Sequence, residues 1–301
     1  MIKTGEIISN ALEAKVVVPA FNIPHLPMVE PVIAAVTDAD SFALVQVARL
    51  EWEKFSAKSL KSVRDEFVKF DNPKNVRLHL DHVPVIDEDH LLVDYVAIVK
   101  EAIELGYQSV MVDGSRLDLD KNIEATAKVA KIAHEAGIVC EAELGAVLGH
   151  EAGPMPPYEE MFVSGEGFTR IEEAKRFAEE SGCDWLSVAV GNIHGAISEA
   201  TRDQKKPEAR INVEYLAKLR DVTGIPLVLH GGSGIKQESI LESVKNGIAK
   251  INVGTEIRQA YEQGLEKTGT VKGAQQACYD RVMWVIKDFF LIEGTRKIVA
   301  E

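Results

Sequence analysis

The chain has 301 residues, 46% of them hydrophobic and 27% charged, with a formal net charge of −13. This length and balance fit a soluble globular protein with a large core. The charge argues against nucleic acid or an anionic membrane surface as the main partner. No apolar run approaches the roughly 18 residues of a membrane span, and the N-terminus lacks a signal-peptide core.

Apolar, β-rich runs alternate with amphipathic helical stretches from end to end. Strands are predicted at 16–22, 42–48, 76–81, 109–113, 139–144, 185–190, 226–230 and 249–253. Helices are predicted at about 27–39, 53–70, 89–105, 118–136, 170–181, 212–222 and 237–246, and the last 48 residues read as helical. Two longer connections, about 145–168 and 192–210, read as irregular loops, and loops of that length are commonly functional. Eight successive βα units argue for a parallel sheet closed into an α/β, (β/α)₈ TIM barrel with extra C-terminal helices. An open doubly wound sheet would carry GxGxxG after its first strand, and none stands there. No linker or repeat divides the chain, so one domain over 1–301 is expected. Cys140, Cys183 and Cys278 are widely spaced with no CxxC pair, so they read as reduced, mostly buried cysteines of a cytoplasmic protein.

In a barrel the C-terminal strand ends share one face. There the sequence places Asn22, Ala48, Arg49, Asp81, His82, Asp113, Glu143, His194, His230 and Asn252, few of which suit a core. His82, His194 and His230 end three different strands, a donor set that suits Zn²⁺ with one open position for polarising a carbonyl. Asp81 and His82 are neighbours and would point to opposite faces of a regular strand. Both reach one site only if the strand ends in a turn of its backbone. The loops Gly231-Gly-Ser-Gly234 and Asn252-Val-Gly-Thr255 follow strands seven and eight and each precede a helix, an arrangement that suits a phosphate.

Together these pieces resemble the class II, metal-dependent ketose-bisphosphate aldolases, of the fructose- and tagatose-bisphosphate branch. The likeness rests on Leu78-His-Leu-Asp-His82, Val110-Met-Val-Asp-Gly-Ser115, Glu141-Ala-Glu-Leu-Gly145, Val190-Gly-Asn-Ile-His-Gly195, Leu229-His-Gly-Gly-Ser-Gly234 and Lys250-Ile-Asn-Val-Gly-Thr-Glu256, in order over most of the chain. The resemblance implies a lyase of carbohydrate metabolism, glycolytic in type. Its catalytic Zn²⁺ would be held by His82, His194 and His230, and a second or displaced metal by Asp113 and Glu143. Asp81 would handle the aldol hydroxyl proton. Glu151 would remove the carbon-bound proton of dihydroxyacetone phosphate, whose enediolate the metal stabilises. Asn22, Gly195, Gly231, Gly232, Ser233, Asn252, Val253, Gly254 and Thr255 would bind substrate, with a monovalent cation, Na⁺ or K⁺, nearby. Arg258 matches a position that holds a distal phosphate from a neighbouring subunit, which implies a homo-oligomer, dimer or tetramer. The partner is a small phosphorylated sugar, with no nucleic acid and no membrane.

The chain departs from this family after its second strand. A serine expected to touch substrate is Ala48, followed by Arg49. Arg49 either pairs with an anionic aldehyde half, such as a carboxylate or sulfonate, or forms a salt bridge to Glu51 or Glu53. Two other functions share the pattern: a metal-dependent epimerase or isomerase of a phosphorylated or acidic sugar, and a non-catalytic aldolase partner subunit. The retained Asp81, Glu151 and three histidines argue against the subunit.

Overall fold

The computed structural model describes residues 2–145, 158–192, 209–232 and 234–301. In chain order these hold α1 (Thr4–Ala14), β1 (Val18–Asn22), α2 (Val29–Asp38), β2 (Ala43–Ala48), α3 (Arg49–Lys54), α4 (Leu60–Phe70), β3 (Val76–Pro84), α5 (Tyr95–Glu104), β4 (Ser109–Asp113), α6 (Leu119–Glu135) and β5 (Val139–Leu144). There follow α7 (Tyr158–Ser164), α8 (Ile171–Ser181), β6 (Trp185–Val188), α9 (Val213–Thr223), β7 (Leu227–Leu229), α10 (Gln237–Lys245), β8 (Ile248–Val253), α11 (Thr255–Thr268), α12 (Val271–Trp284), a π-helical turn (Val285–Phe289) and α13 (Arg296–Ala300). The eight strands are parallel and close in sequence order, β1 pairing with both β2 and β8. This is the expected (β/α)₈ barrel.

The helices start where their capping residues say they should. Ser59, Asp94, Asp118 and Asn212 each accept a backbone N–H from the first turn of α4, α5, α6 and α9. Gly182, Gly224 and Gly269 close α8, α9 and α11 in the left-handed conformation.

Alternation along the strands divides the side chains into two populations. Phe21, Val45, Leu78, Val110, Cys140, Leu186 and Ile251 pack outward against the helices. Toward the N-terminal ends of the strands, Val18, Ala20, Leu44, Trp185, Val228 and Ala249 fill the interior and meet Ile7, Ile8 and Ala11 of α1. The barrel is thus plugged with apolar groups at one end, and its interior turns polar toward the other.

Four helical features differ from the sequence reading. The helix α1 had no counterpart there. The helix expected at 53–70 is two, α3 and α4, because Phe55 is extended, Lys58 has a φ of +70° and Ser59 starts a new helix. The helix expected from residue 89 begins only at Tyr95, after a turn bridged by Ile86 and Leu92. Finally, 158–164 of the long fifth loop is helical, tied by the Tyr158 hydroxyl donating to the Gly191 carbonyl at 2.9 Å.

Candidate active site

The third strand does not end at Asp81 as the sequence reading required: β3 runs on to Pro84, and a break in its pairing brings Asp81 and His82 to one site. Leu80 pairs with Val110 and Val83 with Val112, so Asp81 and His82 together face Met111 alone. The extra residue is a β-bulge. His82 carries it with a φ of +30°, a strained value for a residue with a side chain. The bulge lets adjacent residues serve one site: Asp81 meets groups from β1 and β8, and His82 meets groups from β4, β5 and β7.

Two side-chain amides hold Asp81. Asn22 Nδ2 donates to Oδ2 at 2.9 Å and Asn252 Nδ2 to Oδ1 at 3.0 Å. Each amide is oriented in turn: Gln46 Nε2 donates to Asn22 Oδ1 at 2.8 Å, and Lys250 Nζ to Asn252 Oδ1 at 2.7 Å. Burial opposes ionisation of Asp81, but positive charge on His82, Lys250 and His230 outweighs it and holds the carboxyl below its ordinary value.

Beside it stand two imidazoles and two carboxylates. His82 and His230 are edge to face, 4.5 Å between ring centres. His82 Nδ1 lies 3.3 Å from Asp113 Oδ2 and 3.9 Å from Glu143 Oε2, and His230 Nδ1 lies 3.1 Å from Glu143 Oε2. Burial disfavours protonated His82, yet Asp81, Asp113 and Glu143 together raise its pKa to about 10. Burial and the neighbouring Asp113 push the Glu143 carboxyl up. So much carboxylate around two imidazoles is an environment that favours a cation. His82, Asp113 and Glu143 each offer a ligand atom within 4.8 Å of the others, as do Asp81, His82 and His230. Imidazole nitrogen with carboxylate oxygen is a zinc-type donor set. The described residues therefore fit the expected metal. His194, Gly195, Ser233 and Glu151 lie outside the described residues.

A deeper layer supports this one. Glu141 Oε1 is 2.9 Å from His230 Nε2, and Glu141 Oε2 is 2.8 Å from Lys250 Nζ, all fully buried. His79 is buried with Nδ1 2.8 Å from Ser109 Oγ. Sequence reading gave no role to Glu141, Gln46 or Lys250. The signal was the period of two: Gln46 with Ala48, His79 with Asp81, Glu141 with Glu143, and Lys250 with Asn252 alternate with apolar residues and share the interior face.

The glycine loops after β7 and β8 come close to this cluster. A Cβ at Gly232 would lie 2.9 Å from Ile251 Cγ2, and one at Gly254 3.3 Å from Asn22 Oδ1, so both positions exploit the missing side chain. Asn252 and Val253 are buried at the end of β8, and Gly254 and Thr255 open α11.

Both candidate cations are engaged within the chain. Arg49 Nη2 is 2.7 Å from Glu53 Oε1, with Nη1 3.4 Å from Asp87 Oδ2, so the expected salt bridge to Glu53 is formed. Arg258 is buried beneath Phe55 and 2.7 Å from Glu262 Oε2. Glu51 does not meet Arg49. It is buried and accepts the Ala48 N–H at 2.8 Å. Burial, with Asp81 nearby, pushes its carboxyl up to about 8 despite the Ala48 donor.

Comparison with known proteins gives a consistent picture. Residues 2–299 match the family model described as fructose-bisphosphate aldolase class-II. A fructose-bisphosphate aldolase of Streptococcus pyogenes serotype M3 is 38% identical over 225 residues, 74% of this chain and 67% of that protein. The Geobacillus stearothermophilus fructose-bisphosphate aldolase is 30% identical over 274 residues, 89% of this chain and 85% of that one. Among solved structures, the YdjI aldolase of Escherichia coli K12 superposes with a TM-score of 0.79 at 26% identity, covering 100% of both chains. A putative fructose-1,6-bisphosphate aldolase of Coccidioides immitis shares the fold, with a TM-score of 0.75 at 23% identity over 99% of both chains.

Proposed function

Since the chain belongs to the class II fructose-bisphosphate aldolase family and is an aldolase, a carbon–carbon lyase, we propose that it acts through zinc on a ketose phosphate whose ketone half is dihydroxyacetone phosphate. The observation that carries this reading is Asp81, fixed between two amides and adjacent to the His82–His230 pair.

In this reading His82 and His230, with His194, hold the zinc ion, and Asp113 and Glu143 hold a second or displaced metal. Zinc supplies a Lewis acid for the ketone oxygen. Asp81 takes the proton of the aldol hydroxyl during cleavage and returns it during synthesis. Asn22 and Asn252 keep its lone pairs aimed for that proton. Glu151 moves the carbon-bound proton of the ketone. Gly195, Gly231, Gly232, Ser233, Asn252, Val253, Gly254 and Thr255 receive the phosphate and ketone, with Na⁺ or K⁺ beside them, where backbone N–H groups at the start of α10 and α11 favour negative charge. The aldehyde half lies toward Ala48, a side where this chain departs from its family. A homo-oligomer is part of the same reading, with Arg258 serving a neighbouring subunit once freed from Glu262.

The test is release of dihydroxyacetone phosphate from a panel of ketose bisphosphates and acidic ketose phosphates, with and without a chelator. Release that a chelator abolishes and added zinc restores is expected. Release indifferent to chelation would refute the metal-dependent reading, and rearranged sugar without fragments would identify an epimerase.

A further inference from the structure

Lys250 is fully buried in the barrel interior, and the mechanism above gives it no task. It stands two residues before Asn252 on β8, so the two side chains share the inward face. Its ammonium lies 2.8 Å from Glu141 Oε2 and donates to Asn252 Oδ1 at 2.7 Å. Asn252 Nδ2 in turn donates to Asp81 Oδ1 at 3.0 Å, while the other oxygen of Glu141 is 2.9 Å from His230 Nε2. One buried chain of contacts thus runs from the His230 imidazole to the Asp81 carboxylate, and Lys250 is its middle member.

We infer that Lys250 is a positioning residue for the acid–base step: its ammonium fixes which end of the Asn252 carboxamide faces Asp81. This rests on the aldolase reading with Asp81 as the hydroxyl acid–base. An ammonium has three donors and no acceptor, so only the carbonyl oxygen of Asn252 can turn toward it, and the NH₂ group is left for Asp81. Flipping that carboxamide would set NH₂ against ammonium and oxygen against carboxylate, two unfavourable contacts at once. The amide on the other side of Asp81 is less firmly directed. Asn22 is oriented by Gln46, whose Nε2 donates to it at 2.8 Å and whose Oε1 has no hydrogen-bond partner among the described residues. A neutral carboxamide serves either end of Asn22, as donor or as acceptor, and so selects no direction. Lys250 is therefore the group that gives the clamp on Asp81 its direction, and it does so without touching the reacting atoms.

Lys250→Met keeps an unbranched side chain and removes the donor. It also leaves Glu141 as a buried charge without its cation, so the same measurement is made on the double variant with Glu141→Gln, which carries neither charge. Two reactions are read on the zinc-saturated enzymes, well below their melting temperatures. One is exchange of the carbon-bound hydrogen of dihydroxyacetone phosphate with D₂O, which in this mechanism does not use Asp81. The other is aldol addition of that ketone to the best acceptor from a panel of neutral, phosphorylated and acidic aldehydes, which does. The ratio of the two rates is the readout, because a loss of folded protein, of zinc or of ketone binding lowers both reactions together.

In K250M and in the double variant the ratio of addition to exchange is expected to fall about tenfold or more. In an Asn252→Ala background Lys250→Met should lower the ratio no further, because the residue it acts through is gone. A ratio unchanged in K250M would overturn the inference, even if both reactions slow together. So would a ratio that falls in K250M but returns in the double variant, or losses in K250M and N252A that simply multiply. A parent enzyme that catalyses neither exchange nor addition would instead remove the aldolase mechanism on which the inference stands.

Discussion

Glu141 and Lys250 meet in the middle of the barrel, fully buried, with a single oxygen–nitrogen contact of 2.8 Å. Burial opposes a charge on Glu141, but Lys250 and the His230 bond outweigh it and hold the carboxyl well below the usual carboxylate range. Removing one partner leaves the other charged and uncompensated, so Lys250→Met should destabilise by about 3–5 kcal/mol, while the double change with Glu141→Gln should recover much of it. Urea unfolding of the four proteins tests this, and a double variant no better than the single one would contradict it. Glu51 makes the opposite prediction about pH. Its pKa is raised from 4.5 to about 8 on folding. Below 4.5 the carboxyl is protonated folded or unfolded. As pH rises from there to about 8, the unfolded chain releases the proton first and gains on the folded one. Glu51 thus removes stability over that window, on the order of a few kcal/mol. The difference in unfolding free energy between E51Q and the parent should shift in favour of E51Q between pH 5 and pH 8.5, and a difference constant with pH would show that Glu51 ionises normally in the fold.

At the scale of elements, what could be read in advance was what repeats. The alternation of apolar strand and amphipathic helix located all eight strands, and β4 and β5 match to the residue. Local breaks were legible only in part. Phe55 fits the apolar spacing of a helix running to Phe70, yet it leaves that face to cover Arg258, and the Ser59 cap then starts α4. Pattern cannot reveal this, because burial against a distant residue satisfies an aromatic side chain as well as its own helix does. The site divides along the same line. Strand-end residues such as Asp81, His82 and His230 stood out because they suit no core, whereas Glu141 and Lys250 were given no role, and Glu51 only a salt bridge to Arg49, because only the closed barrel gives them their partners. Helix α6 shows how an element secures a site residue. Asn122, buried on its first turn, donates to the Glu143 carbonyl at 3.0 Å and accepts from Thr126 at 3.2 Å. It lies so close to Gly114 that a Cβ there would stand 2.1 Å from Asn122 Oδ1. Asn122→Ala leaves a buried carbonyl without that donor at the end of β5, for a loss of about 1–3 kcal/mol in chemical denaturation. An unchanged midpoint would mean that the strand end does not depend on the helix.

Over the whole molecule, stability and chemistry are placed at opposite ends of one barrel. The polar interior, from Glu141 and Lys250 up to Asp81, His82 and His230, ends at the C-terminal face of the strands, and the apolar interior ends at the N-terminal face under α1. Ile7 and Ile8 are fully buried there, against a cluster that includes Phe42, Leu44 and Trp185. Asn10 ties the same helix to the last one by donating to the Val299 carbonyl at 3.1 Å. Ile8→Ala would leave a cavity in that plug, and a buried isoleucine-to-alanine change costs about 2–5 kcal/mol. The strand ends that carry Asp81 and the imidazoles lie at the far end of strands that remain hydrogen-bonded on both sides, so the catalytic geometry has no reason to follow. The expected result is a clearly lowered melting temperature with kcat unchanged when assayed well below it. A variant that melts lower and also loses kcat in proportion at low temperature would show that the two ends are mechanically coupled, and that the barrel does not insulate its site from its base.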